Sequence, residues 1–354
     1  MIASFQSSGT APELRDWTIK ADEFIGRIYD IYERTRKEGI SQPIHVGIVR
    51  ADYMLESEEA NVSSVKDCNE NMSLKQVEIN TMAAGVCSTG CQITKLHRAI
   101  ILMTTFHEDS AKVPRIKLIR RTYQEVYKNG KLVDKKLFVE GQEVAVVYHR
   151  YGILPGEYQS EDAWSARLLI ERSLAIKCPT AAGQLVGTKK IQQVLAKPGA
   201  LEKYISDKAA VQRLRRTFTG LYSLDEGPEG DQTVKMAFED PDMFVLKPQR
   251  EGGGHNFFGE DIKITLSQED RAQFILMDKI RSPSMKNYIV RPEHSEPLLT
   301  DVVPEIGIVG VYIADGEKLI ANREVGHTMR TKSSQYDNGS VCTGIANFDS
   351  PYLF

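Results

Sequence analysis

Cysteine is scarce in this chain: Cys68, Cys87, Cys91, Cys178 and Cys342 are the only 5 in 354 residues. An odd, scattered set argues for reduced thiols and against a disulfide scaffold. Cys87 and Cys91 stand four apart and could share a helix face, but no histidine or further cysteine accompanies them, so a zinc site is not expected. No apolar run reaches the ~18 residues that a membrane-spanning helix needs, and the opening MIASFQSSG lacks the long apolar centre of a signal peptide. Neither sign of charge dominates, since 45 Lys and Arg meet 48 Asp and Glu for a net charge of -3. The basic groups Arg115, Lys117, Arg120, Arg121 and Arg213, Arg215, Arg216 are interleaved with apolar residues, which reads as a solvated face and excludes a dedicated nucleic-acid surface. His97, His107, His149 and His327 are isolated and read as structural or surface groups. Internal repeats, low-complexity linkers, a Walker A loop and a G-x-G-x-x-G turn are all missing. With 41% hydrophobic residues, the chain can still bury a large core divided over two or three subdomains.

What is present begins with FVLKPQREGGGHN, Phe244 to Asn256, in which an apolar strand runs into three consecutive glycines. Such a loop lets backbone N–H groups approach an anion closely. Lys247 enters from the strand as a fixed cation, and Glu251 precedes Gly252, Gly253 and Gly254, where a carboxylate can hold a Mg²⁺ bridging two phosphates. A second pattern, QVEINTMAAG, places Glu78 and Asn80 on one face of a half-buried strand, with Val77 and Ile79 turned inward. A third, VGHTMRTKSSQYDNGSV, carries Arg330 and Lys332 two apart, followed by an Asp-Asn-Gly-Ser turn suited to a mobile flap.

Periodicity predicts an amphipathic helix from Pro12 to Gly39, strands at His45–Val49 and Val77–Asn80, and a helix at Gln92–Phe106. A strand at Arg115–Thr122 opens a β-rich stretch to Arg150, with a hairpin turn at Lys128-Asn-Gly-Lys131. Helices follow at Glu161–Lys177, Gly187–Ala196 and Lys208–Thr219, then mostly antiparallel strands, with a turn at Ala314-Asp-Gly-Glu317.

These segments, in this order, resemble the eukaryotic glutathione synthetase family of ATP-grasp ligases, as do GIVRADYML, RLLIERSLAIKCP, QLVGTKKIQQVL, TFTGLYSLDEG, ILMDKI and EIGIVGVYI. The resemblance covers nearly the whole chain. It implies an α+β ATP-grasp fold with a substrate-binding subdomain and a lid over the nucleotide. The implied parts are residues 1–111 as the N-terminal part of the grasp body, 112–188 as the substrate subdomain, and 189–354 as the nucleotide part, with lid loop 249–256 and flap 332–343. Family chains are longer: an N-terminal segment, and a helix–strand portion between about Met103 and Lys112, have no counterpart here.

The reaction so implied is ATP-dependent activation of a carboxylate as an acyl phosphate, then attack by an amine. ATP and Mg²⁺ are the implied cofactors, small acids or a dipeptide and an amine the partners, and a homodimer the assembly. The implied metal ligands are Glu78, Asn80 and Glu251. Around the nucleotide the resemblance places Lys189, Lys247, Gln249, Arg250, Gly252, Gly253, Gly254, Asn256, Met277, Lys279, Ile280, Glu305 and Lys332, and it makes Arg330 catalytic. On the substrate side it places Arg50, Ala83, Gly85, Arg150, Ile153, Arg330, Val341 and Cys342.

That side departs from the family pattern. Ala83 and Gly85 stand where the family has serines, Ile153 where it has tyrosine, Phe258 replaces a nucleotide-contacting tyrosine, Asn338 an acid, and Cys342 an alanine. Lost polar contacts in a closed pocket cost about 1–3 kcal/mol each. The expected function is therefore a glutathione-synthetase-like C–N ligase with altered specificity, similar to the secreted effectors of plant-parasitic nematodes. An ordinary cytoplasmic glutathione synthetase and a non-catalytic nucleotide-binding effector are the alternatives.

Overall fold

A computed structural model describes residues 22–57, 72–84, 117–251, 254–291, 295–339, 341 and 344–351. The first described helix, α1 (Glu23–Glu38), starts where the Asp22 carboxylate accepts the Phe24 N–H at 2.8 Å. Its apolar stripe, Phe24, Ile25, Ile28 and Ile31, is buried, and it ends at Gly39 with φ of 88°. The earlier part of the expected helix, like the expected helix at Gln92–Phe106, lies outside the described residues. Strand β1 (Ile44–Glu56) pairs antiparallel with β2 (Ser73–Asn80), Arg50 opposite Asn80 and Asp52 opposite Glu78. The next pair is Tyr53 with Gln76, so Val77 is a bulge residue without a partner across the ladder.

The expected strand at Arg115–Thr122 is not formed over its described part, residues 117–122. Thr122 instead makes a capping box with Glu125 and starts helix α2 (Tyr123–Asn129). The Asn-Gly expected as a hairpin turn is thus the exit of that helix into β3 (Gly130–Val133). The true hairpin turns come next. Asp134-Lys135, with φ of 50° and 62°, joins β3 to β4 (Lys136–Val139), and Glu140-Gly141, with φ of 53° and 76°, joins β4 to β5 (Gln142–Val144). Positive φ at both central positions is the turn whose twist suits a hairpin. Strand β6 (Val146–Tyr148) is followed by α3 (Glu161–Glu171), which ends six residues before the Lys177 expected from periodicity. Ser173 Oγ donates to the Ile170 carbonyl there at 2.7 Å. Pro179 beyond it favours extended backbone at Cys178, and 176–178 become strand β7.

After β7 come α4 (Ala181–Val186), α5 (Lys189–Ala196) and α6 (Lys208–Thr217), then β8 (Leu221–Ser223), α7 (Pro228–Glu239), β9 (Phe244–Pro248), β10 (Phe257–Phe258), α8 (Glu260–Gln268) and β11 (Phe274–Asp278). Strands β12 (Met285–Ile289), β13 (Leu298–Asp315), β14 (Lys318–Ser333) and β15 (Ala346–Asp349) complete the described chain. The turn expected near residue 316 joins β13 to β14.

Two sheets frame the site. The larger has eight strands in the order β15-β14-β13-β1-β7-β6, with β12 on β13 and β2 on β1; the smaller runs β10-β9-β11-β8. One apolar core unites α1 with the helices from α2 to α6 through Ile28, Leu137, Ala163, Leu185, Ile191 and Leu201, and a second, built on Leu224, Leu246, Ile262 and Leu276, backs the smaller sheet. Each such buried Leu or Ile stabilises the fold by about 1.5–3 kcal/mol.

Candidate active site

The two sheets meet at the bulge in β2. Lys247, on β9, is 2% exposed and donates from Nζ to the Val77 carbonyl at 2.6 Å. A β-bulge residue is missing from the regular ladder, so its carbonyl is available to that lysine. Burial, partly offset by Glu78, lowers the Lys247 ammonium to about 8. Glu78 forms a 2.9 Å ion pair with Lys189 at the start of α5. Burial alone would raise the Glu78 carboxyl, but Lys189, Lys247 and Arg330 together hold it well below the ordinary range. The Lys189 ammonium is drawn upward by both Glu78 and Glu251, against burial.

Glu251 is 8% exposed and accepts Thr81 N–H at 3.3 Å, Thr81 Oγ1 at 3.0 Å and Met82 N–H at 3.3 Å. Burial is the main cause of its rise to about 7. Gly187 makes this seat possible, because a Cβ there would lie 1.8 Å from Glu251 Oε1. Asn80, the third expected metal ligand, donates from Nδ2 to Asp52 Oδ2 at 3.0 Å. Among the described residues no three Asp, Glu, His or Cys side chains converge as a metal cluster. The Glu78 and Glu251 carboxylates and the Asn80 amide are nevertheless hard oxygen donors of the kind Mg²⁺ takes. The buried Gln249 Nε2 atom, without a hydrogen-bond acceptor, and beside it the buried Lys189 ammonium held by Glu78 fit a phosphate-bearing ligand.

Gln249 Oε1 accepts the Lys190 backbone N–H at 2.8 Å, and Arg250 pairs with Asp22 at 2.8 Å, tying the base of the glycine loop to α5 and to the cap of α1. Gly254 and Asn256 are described; Gly252 and Gly253 are not. The Asn256 carbonyl accepts Asn338 Nδ2 at 2.8 Å, so loop and flap touch. Lys332 donates to the Asp337 carbonyl, and Lys279 pairs with the Asp337 carboxylate at 2.9 Å. Burial lowers the Lys332 ammonium. Met277 is buried in β11, and Lys279 and Ile280 lead away from its end.

Asp52, which the sequence did not single out, is the hub of the arginines expected on the substrate side. It accepts Arg50 Nε at 2.6 Å and Nη2 at 2.7 Å, and Arg330 Nη2 at 2.9 Å. Arg330 also bonds Glu305, directly opposite on β13. Burial raises the Glu305 carboxyl even though Arg330 opposes it. The i, i+2 spacing of Arg50 and Asp52 on a strand was the available signal. Arg150 Nη1 donates to the Ala83 carbonyl at 3.3 Å, and Ala83 holds φ of 46°, which is uncommon for a residue with a Cβ. Ile153 N–H, with those of Gly152 and Leu154, converges on Glu157 Oε2 at 2.6, 2.6 and 3.1 Å. Val341 is described as a turn residue, whereas Gly85 and Cys342 lie outside the described residues.

The remaining groups weighed from sequence have local partners. His149 is buried and contacts Tyr123 Oη at 3.0 Å. Burial keeps the His149 imidazole well below its usual range. Arg121 pairs with Glu140 and Arg215 with Glu202.

Two packed sheets with a cationic, carboxylate-lined junction and a glycine loop beside it define an ATP-grasp protein. The family model for the eukaryotic glutathione synthase ATP-binding domain matches residues 12–353. The chain is 38% identical to glutathione synthetase of Bos taurus and 37% identical to that of Homo sapiens, each over 95% of this chain and 80% of the relative. It is 36% identical to the enzyme of Dictyostelium discoideum, over 94% of this chain and 81% of the relative. A solved apo structure of a glutathione synthetase-like effector from Globodera pallida aligns with a TM-score of 0.68 at 25% identity, covering 99% of this chain and 87% of the effector. The chain belongs to the eukaryotic glutathione synthase family. The bovine alignment extends over 393 positions, more than the 354 residues of this chain, so segments of the relative have no counterpart here.

Proposed function

We propose that this protein is a Mg-ATP-dependent C–N ligase that activates a small carboxylate as its acyl phosphate for attack by an amine, with an acid-binding pocket that differs from that of a standard glutathione synthetase. The observation that carries the reading is the meeting of Glu78 on β2, Lys189 on α5, Lys247 on β9 and Glu305 and Arg330 on β13 and β14 at one junction. Five elements supply it, and a purely structural cluster has no need of so many buried cations. Glu78, Asn80 and Glu251 would hold Mg²⁺, which neutralises phosphate charge when bound. Lys189, Lys247 and Lys332 place cations for the phosphates. Gln249 and Arg250 would anchor the glycine loop beside them, and Met277 to Ile280 would form the edge offered to the base. Arg50 and Arg150 would anchor the acid, and Arg330 would face the developing charge. The lid loop and flap, joined through Asn338, would exclude water from the acyl phosphate. The altered specificity rests on Ala83, Gly85 and Ile153.

An ordinary glutathione synthetase is the second reading, favoured by the higher identity to the curated synthetases than to the effector structure. ADP release measured with γ-glutamylcysteine plus glycine, then with a panel of small acids and amines, separates the two. Mg-ATP is expected to raise the melting temperature in a concentration-dependent way. A flat titration would remove the nucleotide site, and standard glutathione formation would remove the altered pocket. A homodimer is expected on family grounds, with light scattering as its test.

A further inference from the structure

We propose that Asp52 is a positioning residue that sets Arg50 and Arg330 in one fixed frame for the acid substrate. The assignment rests on the ligase reading above. Asp52 is 1% exposed on β1, between β2 and β13. Oδ1 accepts Arg50 Nε, and Oδ2 accepts Arg50 Nη2, Arg330 Nη2 and Asn80 Nδ2 at 2.7, 2.9 and 3.0 Å. Both oxygens are occupied by donors, so neither is placed to take a proton from an amine.

Two buried guanidinium groups repel each other unless an anion lies between them. A salt bridge serving stability alone needs one partner; this carboxylate instead joins strands β1, β2 and β14 through three of the residues expected to act on substrate and metal. The bidentate grip on Arg50 fixes the plane of its guanidinium as well as its position. The sheet is built around the arrangement: Gly307 sits opposite Asp52 on β13, and a Cβ there would come within 2.7 Å of Asp52 Oδ1 and 2.8 Å of Arg50 Cδ. Glu305 restrains Arg330 from its other side, so the loss of Asp52 frees the arginines unequally, Arg50 more than Arg330.

The test is Asp52→Asn, which keeps size and removes the charge. With Mg-ATP and the acid and amine of the panel that the parent turns over, γ-glutamylcysteine and glycine included, ADP release should show the KM for that acid raised about tenfold or more while the KM for ATP changes by less than about threefold, an ion pair of this kind being worth that much. Added to Arg50→Gln, Asp52→Asn should cost little more, because the carboxylate acts through that arginine. Gly307→Ala, which displaces the carboxylate without removing it, should reproduce the KM effect, and it serves if Asp52→Asn does not fold. A crystal structure of whichever variant folds should show the guanidinium groups of Arg50 and Arg330 moved apart; unmoved guanidinium groups overturn the assignment, and this arm needs no turnover. A parent enzyme without ADP release on any acid overturns the ligase reading. A parent that turns over, beside a folded variant with an unchanged KM for the same acid, overturns the Asp52 assignment and leaves the ligase reading standing.

Discussion

Ala83 and Glu251 show how much a single residue's surroundings decide here. Ala83 combines a φ of 46° with a carbonyl bonded to Arg150, so its backbone, not its methyl group, serves that arginine. Restoring the family pattern by Ala83→Ser, Gly85→Ser and Ile153→Tyr is expected to recover part of standard glutathione formation, read as γ-glutamylcysteine-dependent ADP release. No gain over the parent would show that specificity lies elsewhere. Glu251, raised to about 7 chiefly by burial, keeps its proton in the ligand-free fold well above the ordinary carboxylate range and loses it near neutral pH. A carboxyl raised in this way contributes stability below its unfolded value, and that contribution is lost as pH rises through about 7. Glu251→Gln should therefore melt later than the parent in the ligand-free state, with its advantage growing by about 2 kcal/mol from pH 5 to pH 8. The same variant should lose about a hundredfold in turnover with whichever substrate pair is active. Unchanged turnover would return Glu251 to the role of a structural carboxylate. Glu157, gathering three backbone N–H groups on one oxygen, should cost about 1–2 kcal/mol as Glu157→Ala in chemical denaturation, and it should weaken acid binding by loosening the loop that carries Arg150.

At the scale of elements, the sequence was most readable where one pattern acted alone. The apolar stripe of α1, the glycine loop after β9, and the turn between β13 and β14 all follow from local chemistry. It misled at 115–131, where the apolar and basic alternation of RIKLIRRT read as a strand and Asn-Gly as a hairpin turn. Thr122 and Glu125 start a helix there, and that T-x-x-E signal was present in the sequence but outweighed by a louder one. The expected site segments do come together: β2, β9, α5 and β14 supply the residues anticipated from them. What periodicity could not give was the Val77 bulge, the Gly187 seat for Glu251, or the part of Asp52, since each depends on a partner more than sixty residues away or on register. The flap-to-loop bond from Asn338 to the Asn256 carbonyl permits a direct check: Asn338→Ala should raise the KM for ATP about fivefold, the equivalent of one hydrogen bond, with little change in melting temperature. A KM for ATP equal to the parent's would mean that the two segments close independently.

For the whole molecule, one pairing sets the order of assembly. Strand β1 lies against β13 with Ile44 opposite Asp315 and Tyr53 opposite Ile306, so the large sheet is closed by contacts spanning more than 250 residues of chain. Pairings this distant are slow to find, because most of the loop-closure entropy is lost before any contact rewards it. On a ribosome, β1 and β2 emerge long before β13, exposing a hydrogen-bonding edge and the apolar side chains of Val46 and Val49 meanwhile. The charges of Glu78 on β2 and Arg330 on β14 therefore come within reach of each other only after nearly the entire polypeptide has been made, and a nascent chain stalled before Leu298 should be protease-sensitive along β1 and unable to retain nucleotide.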